Sequence, residues 1–379
     1  MAAVIEAGRK VGDGRGVDRL KETSRAAASE GEESSLLYRL REASRAMNTK
    51  LAITMSLTVR EVIVFENGPV VLTGETADAE SVEYPKIIFE GAGAFTVRGN
   101  GSLTLRRLCL RTKAKAALGH ERSRRTLKCC NRRTVSVAGA KASLFLEYCR
   151  IICEGRSSDE SPYPKTGYAA AVLATRRSTL AMTNCEVMSP GFQARGVVVK
   201  SGGRATLTET KVTECNSSAV WVCGRASRAA LKSCVVTKCG GYGAIYCTFG
   251  GSVSVRNSSV TFGKYGIMCL HDGSKMECTD SEFAFCLWSG VASRWSGSGT
   301  VTRCRVHSNG ANGFQIRKSC SGPGGVVVTN CIDEKNHIDP MYAFKHRDLQ
   351  DTQLSRKGLP SRGVSATQAS AMELLTATK

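Results

Sequence analysis

The chain reads as an all-β parallel solenoid closed at its N-terminus by one helix. Three observations predict this: a phrase that returns about every 24 residues, strand alternation inside each copy, and no helical periodicity across 176–332. The copies read LFLEYCRI, LAMTNCEV, ATLTETKV, AALKSCVV, VSVRNSSV, MECTDSEF, GTVTRCRV and VVVTNCID. Aligned on their small residue they give Cys149, Cys185, Thr210, Cys234, Ser258, Ser281, Cys304 and Cys331, with spacings of 36, 25, 24, 24, 23, 23 and 27. LTLRRLCL is an earlier copy, with Leu108 in the small-residue column.

Inside each copy, the positions five and three before the small residue are mostly apolar, as in Leu180 and Met182 or Val253 and Val255. A further apolar column follows two residues after it: Val187, Val212, Val236, Val260, Phe283, Val306. That change of phase predicts a bend between two short strands. A third strand is announced by Gly or Ala before an apolar run at Gly196, Ala219, Gly243, Gly266, Gly290 and Gly313. A unit this small cannot bury its own apolar face, whereas stacked copies bury it continuously. Leucine-rich repeats would need a Leu framework and a helical segment, and neither is seen.

With this register on the page, the phrase VTRCRVHSNGANGFQI at 301–316 resembles the right-handed parallel β-helix family, the pectin-lyase-like superfold, in its short-repeat branch. The resemblance covers about 60–340. It implies the fold and leaves function open, because the same superfold carries lyases, hydrolases, epimerases, viral surface proteins and noncatalytic modules.

An open coil end exposes unpaired strand edges, so a cap is expected. SLLYRLREASRAM at 35–47 places Leu36, Leu37, Leu40, Ala43 and Met47 on one helix face. The expected organisation is a tail over 1–34, cap and first strand over 35–59, and solenoid over 60–340. A basic insertion is expected near 111–134 and a second insertion near 154–167. The C-terminal tail is 341–379, with a short helix possible at 366–377. The first strands are expected at 51–57, 60–65, 69–73 and 86–90.

No run approaches the roughly 18 apolar residues of a membrane span, and the N-terminus carries Glu6, Arg9 and Lys10 in place of an apolar leader. The expectation is a chain of the cytoplasm or nucleus. Its 17 cysteines are odd in number, and a core of this size needs no staples, so free thiols are expected. Cys215, Cys239, Cys286 and Asn309 share one column, read as an internal thiol and amide stack. A single column lacks tetrahedral geometry, so no metal site is assigned and no cofactor is expected.

The formal net charge is +20, and residues 101–150 hold 13 Lys or Arg against Glu121 and Glu147. Arg122, Arg124, Arg125, Lys128, Arg132 and Arg133 form the candidate anion-binding set. No aromatic residue interleaves them, which weighs against nucleic acid.

For chemistry, Asp280, Glu282 and Arg305 are the catalytic candidates, a carboxylate pair with a uronate-binding arginine. The competing reading makes Glu186 with Lys211, Glu282 with Arg305, and Asp280 with Arg303 ordinary exposed ion pairs between neighbouring coils. His271 with Asp272 is read as a turn. The polygalacturonase pattern is absent, since no Asp-Asp pair occurs. The favoured function is therefore a noncatalytic module presenting a rigid elongated surface to a protein or anionic polymer. The alternatives are a lyase, epimerase or hydrolase on an acidic glycan, and a structural or assembly protein.

Overall fold

Each copy of the phrase makes one lap of a three-walled coil. The computed structural model describes residues 33–46, 48–75, 84–90, 94–113, 133–154, 169–191, 193–317 and 325–337. The C-terminal tail with its helix at 366–377, all of the N-terminal tail but residues 33 and 34, Met47 and most of the two insertions lie outside them. So do Arg122, Arg124, Arg125, Lys128 and Arg132.

One lap runs through Arg204–Thr208 on sheet A, Lys211–Thr213 on sheet B and Val220–Cys223 on sheet C. Sheets A and B have 11 strands and sheet C has 10, all parallel. Val187, Val212, Val236, Val260, Phe283 and Val306 follow one another in register and are wholly buried. Each lap thus lays its apolar residues on those of the lap below, at the ~4.8 Å spacing of paired strands. The first lap already begins at Thr49–Ile53, which pairs with Pro69–Gly74. The run expected as one strand at 51–57 is two, broken between Ile53 and Leu57 where the wall turns from sheet A to sheet B.

The bend between sheets A and B explains the small-residue column. The residue before it is left-handed in lap after lap: Asn184, Glu209, Ser233, Asn257, Asp280, Arg303 and Asn330 all have φ between 49° and 54°. For residues other than Gly that conformation costs roughly 1–2 kcal/mol each. It turns the next side chain inward beside backbone carbonyls, and a small donor there satisfies them. The Cys149 thiol donates to Leu105 O at 3.2 Å and Glu147 O at 3.4 Å, and the Ser281 hydroxyl donates to Thr279 O at 2.8 Å. Cysteine suits the position as a small apolar body with a weak donor. All fourteen described cysteines are free thiols.

The opposite corner of the wall carries the thiol and amide stack. Asn309 accepts from Cys286 N at 2.9 Å and donates to Phe283 O at 3.2 Å, and its amide also donates to Asn336 Oδ1 at 2.9 Å. Cys215, Cys239 and Cys286 are buried in the same column. Among the described residues, no group of three or more His, Cys, Asp or Glu is arranged to hold a metal.

A helix, α1 (33–45), closes the N-terminal end with Leu36, Leu40 and Ala43 buried on the first lap. It is pinned where Thr58 N donates to Glu33 at 2.6 Å and Arg41 meets Glu61 at 2.5 Å. No helix among the described residues is long and apolar enough to cross a membrane.

Candidate functional site: the corner between sheets C and A

On the outside of the wall many carboxylates are paired with a cation of a neighbouring lap. On sheet B, Glu186 lies 3.1 Å from Arg150 and 3.3 Å from Lys211. On sheet A, Arg106 meets Glu147 at 2.8 Å and Arg256 meets Glu277 at 2.5 Å.

The catalytic candidates belong to this compensated surface. Asp280 sits at the A–B bend, where Arg303 bonds both its oxygens at 2.7 Å and holds its carboxyl below the usual carboxylate range. Glu282 accepts from the Ser259 hydroxyl at 2.9 Å and lies 3.0 Å from His307 Nε2. The expected Glu282–Arg305 pair does not form, although the two are register neighbours. Arg305 instead reaches Glu334 at 2.6 Å, one lap further on, because Ser259 and His307 already occupy Glu282. Asp280, Glu282 and Arg305 therefore each have a separate partner and do not converge on a shared point.

The corner where sheet C passes into sheet A differs. Here the chain turns through left-handed residues in each lap: Arg176 and Arg177, then Ser201, Ala226, Phe249, His271, Trp295 and Ser296. Buried serines hold the turns. Ser178 Oγ accepts from Thr175 N at 3.1 Å and donates to Val137 O at 3.0 Å. Ser227 accepts from Gly202 N, and Ser274 from Gly250 N, both at 3.0 Å, so each serine clamps the corner of the lap below. A tight turn so clamped throws its own side chains into solvent. Arg176, Arg177 and Arg225 project from it, and Arg204, Arg228 and Lys275 stand at the first outward position of sheet A beside it, all exposed.

None of these six cations forms an ion pair among the described residues. In the upper laps rings take their place. Phe249 stacks on His271 with centroids 4.1 Å apart and an interplanar angle of 13°, and His271 meets Trp295 at 5.1 Å. Phe249 and Trp295 are each 57% exposed. Gly250 is left-handed, and the Arg225 stem lies across it; a Cβ there would meet Arg225 Cγ at 2.9 Å.

The adjoining face of sheet C continues the pattern. Its central outward column runs Leu173, Val198, Trp221, Tyr246, Met268 and Ala292 in register. The Arg195 guanidinium lies 3.9 Å over Trp221. Arg294 donates at 2.6 Å to both the Tyr265 hydroxyl and Gln315. Burial, then the Arg133 charge, lowers the Lys200 ammonium below its usual range. Arg133 begins a strand of this same sheet, and burial followed by Arg176 lowers its guanidinium. It is the one member of the sequence-derived anion-binding set within the described residues. No strand of sheet C contains Asp or Glu.

Sequence reasoning found Arg133 and placed His271 in a turn, but missed the edge as a whole. The available signal was period: Phe249, His271 and Trp295 are 22 and 24 residues apart, one lap each.

Residues 170–336 match the family model described as right handed beta helix region. No curated protein matches the sequence. Among solved structures, the periplasmic alginate epimerase AlgG is 10% identical with a TM-score of 0.39, covering 76% of this chain and 73% of its own. Pectate lyase Pel9A is 10% identical with a TM-score of 0.41, covering 77% and 70%. ORF18 of Geobacillus virus E2 is 10% identical with a TM-score of 0.24, covering 78% and 56%.

Proposed function

We propose that this chain, whose residues 170–336 match the right handed beta helix region model, is a noncatalytic binding module whose C–A corner takes an extended anionic chain. The observation that carries this reading is the distribution of compensation. Elsewhere among the described residues of the wall ten cations, Lys211, Arg256 and Arg303 among them, face a carboxylate in a neighbouring lap, whereas along this stretch of the corner six stand without one.

A fixed row of uncompensated charges raises the local concentration of an anion, and it loses nothing in breaking pre-existing pairs. The row is straight and rigid because register fixes each lap on the next. From the lap of Arg176 to that of Trp295 there are five steps, or about 24 Å at the spacing of paired strands. That length suits several repeat units of a polymer.

The reading excludes general acid–base work along the Arg176–Trp295 stretch of this corner, where Asp272 is the one carboxylate in the turns and spends an oxygen on Gly273 N at 2.8 Å. Retention of the protein on immobilised inorganic polyphosphate tests it. Retention should fall with rising salt and further with Arg177→Glu/Arg225→Glu. Retention indifferent to both would remove the corner from the function. If instead the protein degrades or epimerises an acidic glycan and Asp280→Ala/Glu282→Ala abolishes this, the enzyme reading replaces it.

A further inference from the structure

We propose that the anionic chain taken by the C–A corner is a single-stranded nucleic acid, its phosphates on the arginine row and unstacked bases against the exposed rings of the Phe249–His271–Trp295 row. This rests on the binding reading above and narrows it to a chemical class.

The first argument is the kind of hydrogen bonding on offer. Arg and Lys are donors only. Sugar hydroxyls need acceptors as well as donors, and glycan sites accordingly carry carboxylates and amides. From Arg176 to Trp295 along this corner Arg176, Arg177, Arg204, Arg225, Arg228 and Lys275 supply donors, and Asp272 is the one acidic side chain in the turns. Phosphate oxygens are acceptors only, so the match is one-sided in the required direction. Five of the six cations are arginines, whose planar fork suits phosphate geometry.

The second argument is the rings. Large side chains in the left-handed region are strained, and here Phe249 (φ 53°), His271 (φ 71°) and Trp295 (φ 51°) occupy it in three consecutive laps. The outer two remain 57% exposed. These rings do not fill the core; they form a preassembled row on the outside, Phe249 stacked on His271 and Trp295 tilted by 41° against it. A base adds to such a stack as it adds to a neighbouring base, without regard to sequence.

A duplex hides its base faces, and an acidic peptide has few rings to contribute; a single strand offers both groups the corner is built for. Sequence reasoning counted the lack of aromatics within 106–133 against nucleic acid. The solenoid answers that objection by bringing rings from 249–295 into line with arginines from 176–228.

Fluorescence anisotropy with a labelled unstructured oligouridylate tests the proposal on the full chain, with the matching RNA duplex and polygalacturonate as the other arms. Single-stranded RNA should bind most tightly. Phe249→Ala and Trp295→Ala should each weaken it by roughly tenfold with the salt slope unchanged. Arg177→Ala/Arg225→Ala should flatten the slope of log affinity against log salt by about 1.4, two contacts at roughly 0.7 each. All four positions are exposed corners, and unchanged melting curves verify that the variants remain folded.

Duplex binding equal to single-strand binding, or ring variants without effect, overturns the inference. Polygalacturonate bound more tightly than RNA overturns it while leaving the anionic-chain reading intact. Binding to no polyanion removes both.

Discussion

Two adjacent residues provide the sharpest test of the stacked-lap architecture. Val236 points into the solenoid and is wholly buried between Val212 and Val260, whereas Val235 points outward and is 40% exposed. Val236→Asp loses the ~1.5–3 kcal/mol gained by burying a valine and adds several kcal/mol for enclosing a carboxylate without a partner. The sum rivals the roughly 5–15 kcal/mol that holds a typical domain together, so a folded product is not expected. Val236→Thr keeps the shape and buries one hydroxyl, at about 1–3 kcal/mol, which leaves a measurable protein. Val235→Asp should cost within about 0.5 kcal/mol, as surface changes do. Urea unfolding of the two milder variants, with expression of the third in soluble form, reads out all three. Because a one-residue slip exchanges inward and outward positions, a Val235→Asp protein less stable than Val236→Thr, or a well-folded Val236→Asp, would refute the register and everything placed by it.

Three further expectations follow from the described contacts. Asn309→Ala removes a buried amide bonded to Cys286 N, Phe283 O and Asn336; a loss of about 2–3 kcal/mol is expected, since the partners are left unsatisfied, and hydrogen exchange should accelerate first in 282–309. Burial pushes the Cys286 thiol up to about 12 and Cys304 to about 11, so alkylation of the native protein at pH 8 should modify the half-buried Cys223 and Cys331 first among the described cysteines, as peptide mapping would read. The Asp280 carboxyl is held below its usual range by its bonds to Arg303. Its contribution is therefore present above the unfolded-state value and fades as pH falls through the lower folded one. Carboxylate NMR titration should find this shift, and Arg303→Ala should return Asp280 to the ordinary range.

The division between what was legible in the sequence and what was not follows from the range of the forces involved. The lap length, the inward columns and the A–B bend are local: they depend on side-chain alternation, on the left-handed residue before each small one, and on covalent spacing. Cys234, Ser258 and Ser281 could thus be aligned, and the stack of Val212, Val236 and Val260 placed, from residue order. Pairing on the outer surface is a competition between laps. Arg305 has Glu282 on one side and Glu334 on the other, and only the positions of Ser259 and His307 decide between them.

The candidate site is further still from the linear order. Arg177 and Trp295 are 118 residues apart in the chain, yet they belong to one edge because five laps in register bring them there. Composition announced an excess of positive charge, and period announced a coil. Which of the coil's corners would keep that charge uncompensated depended on where every carboxylate landed, and that is decided only when all the laps are stacked.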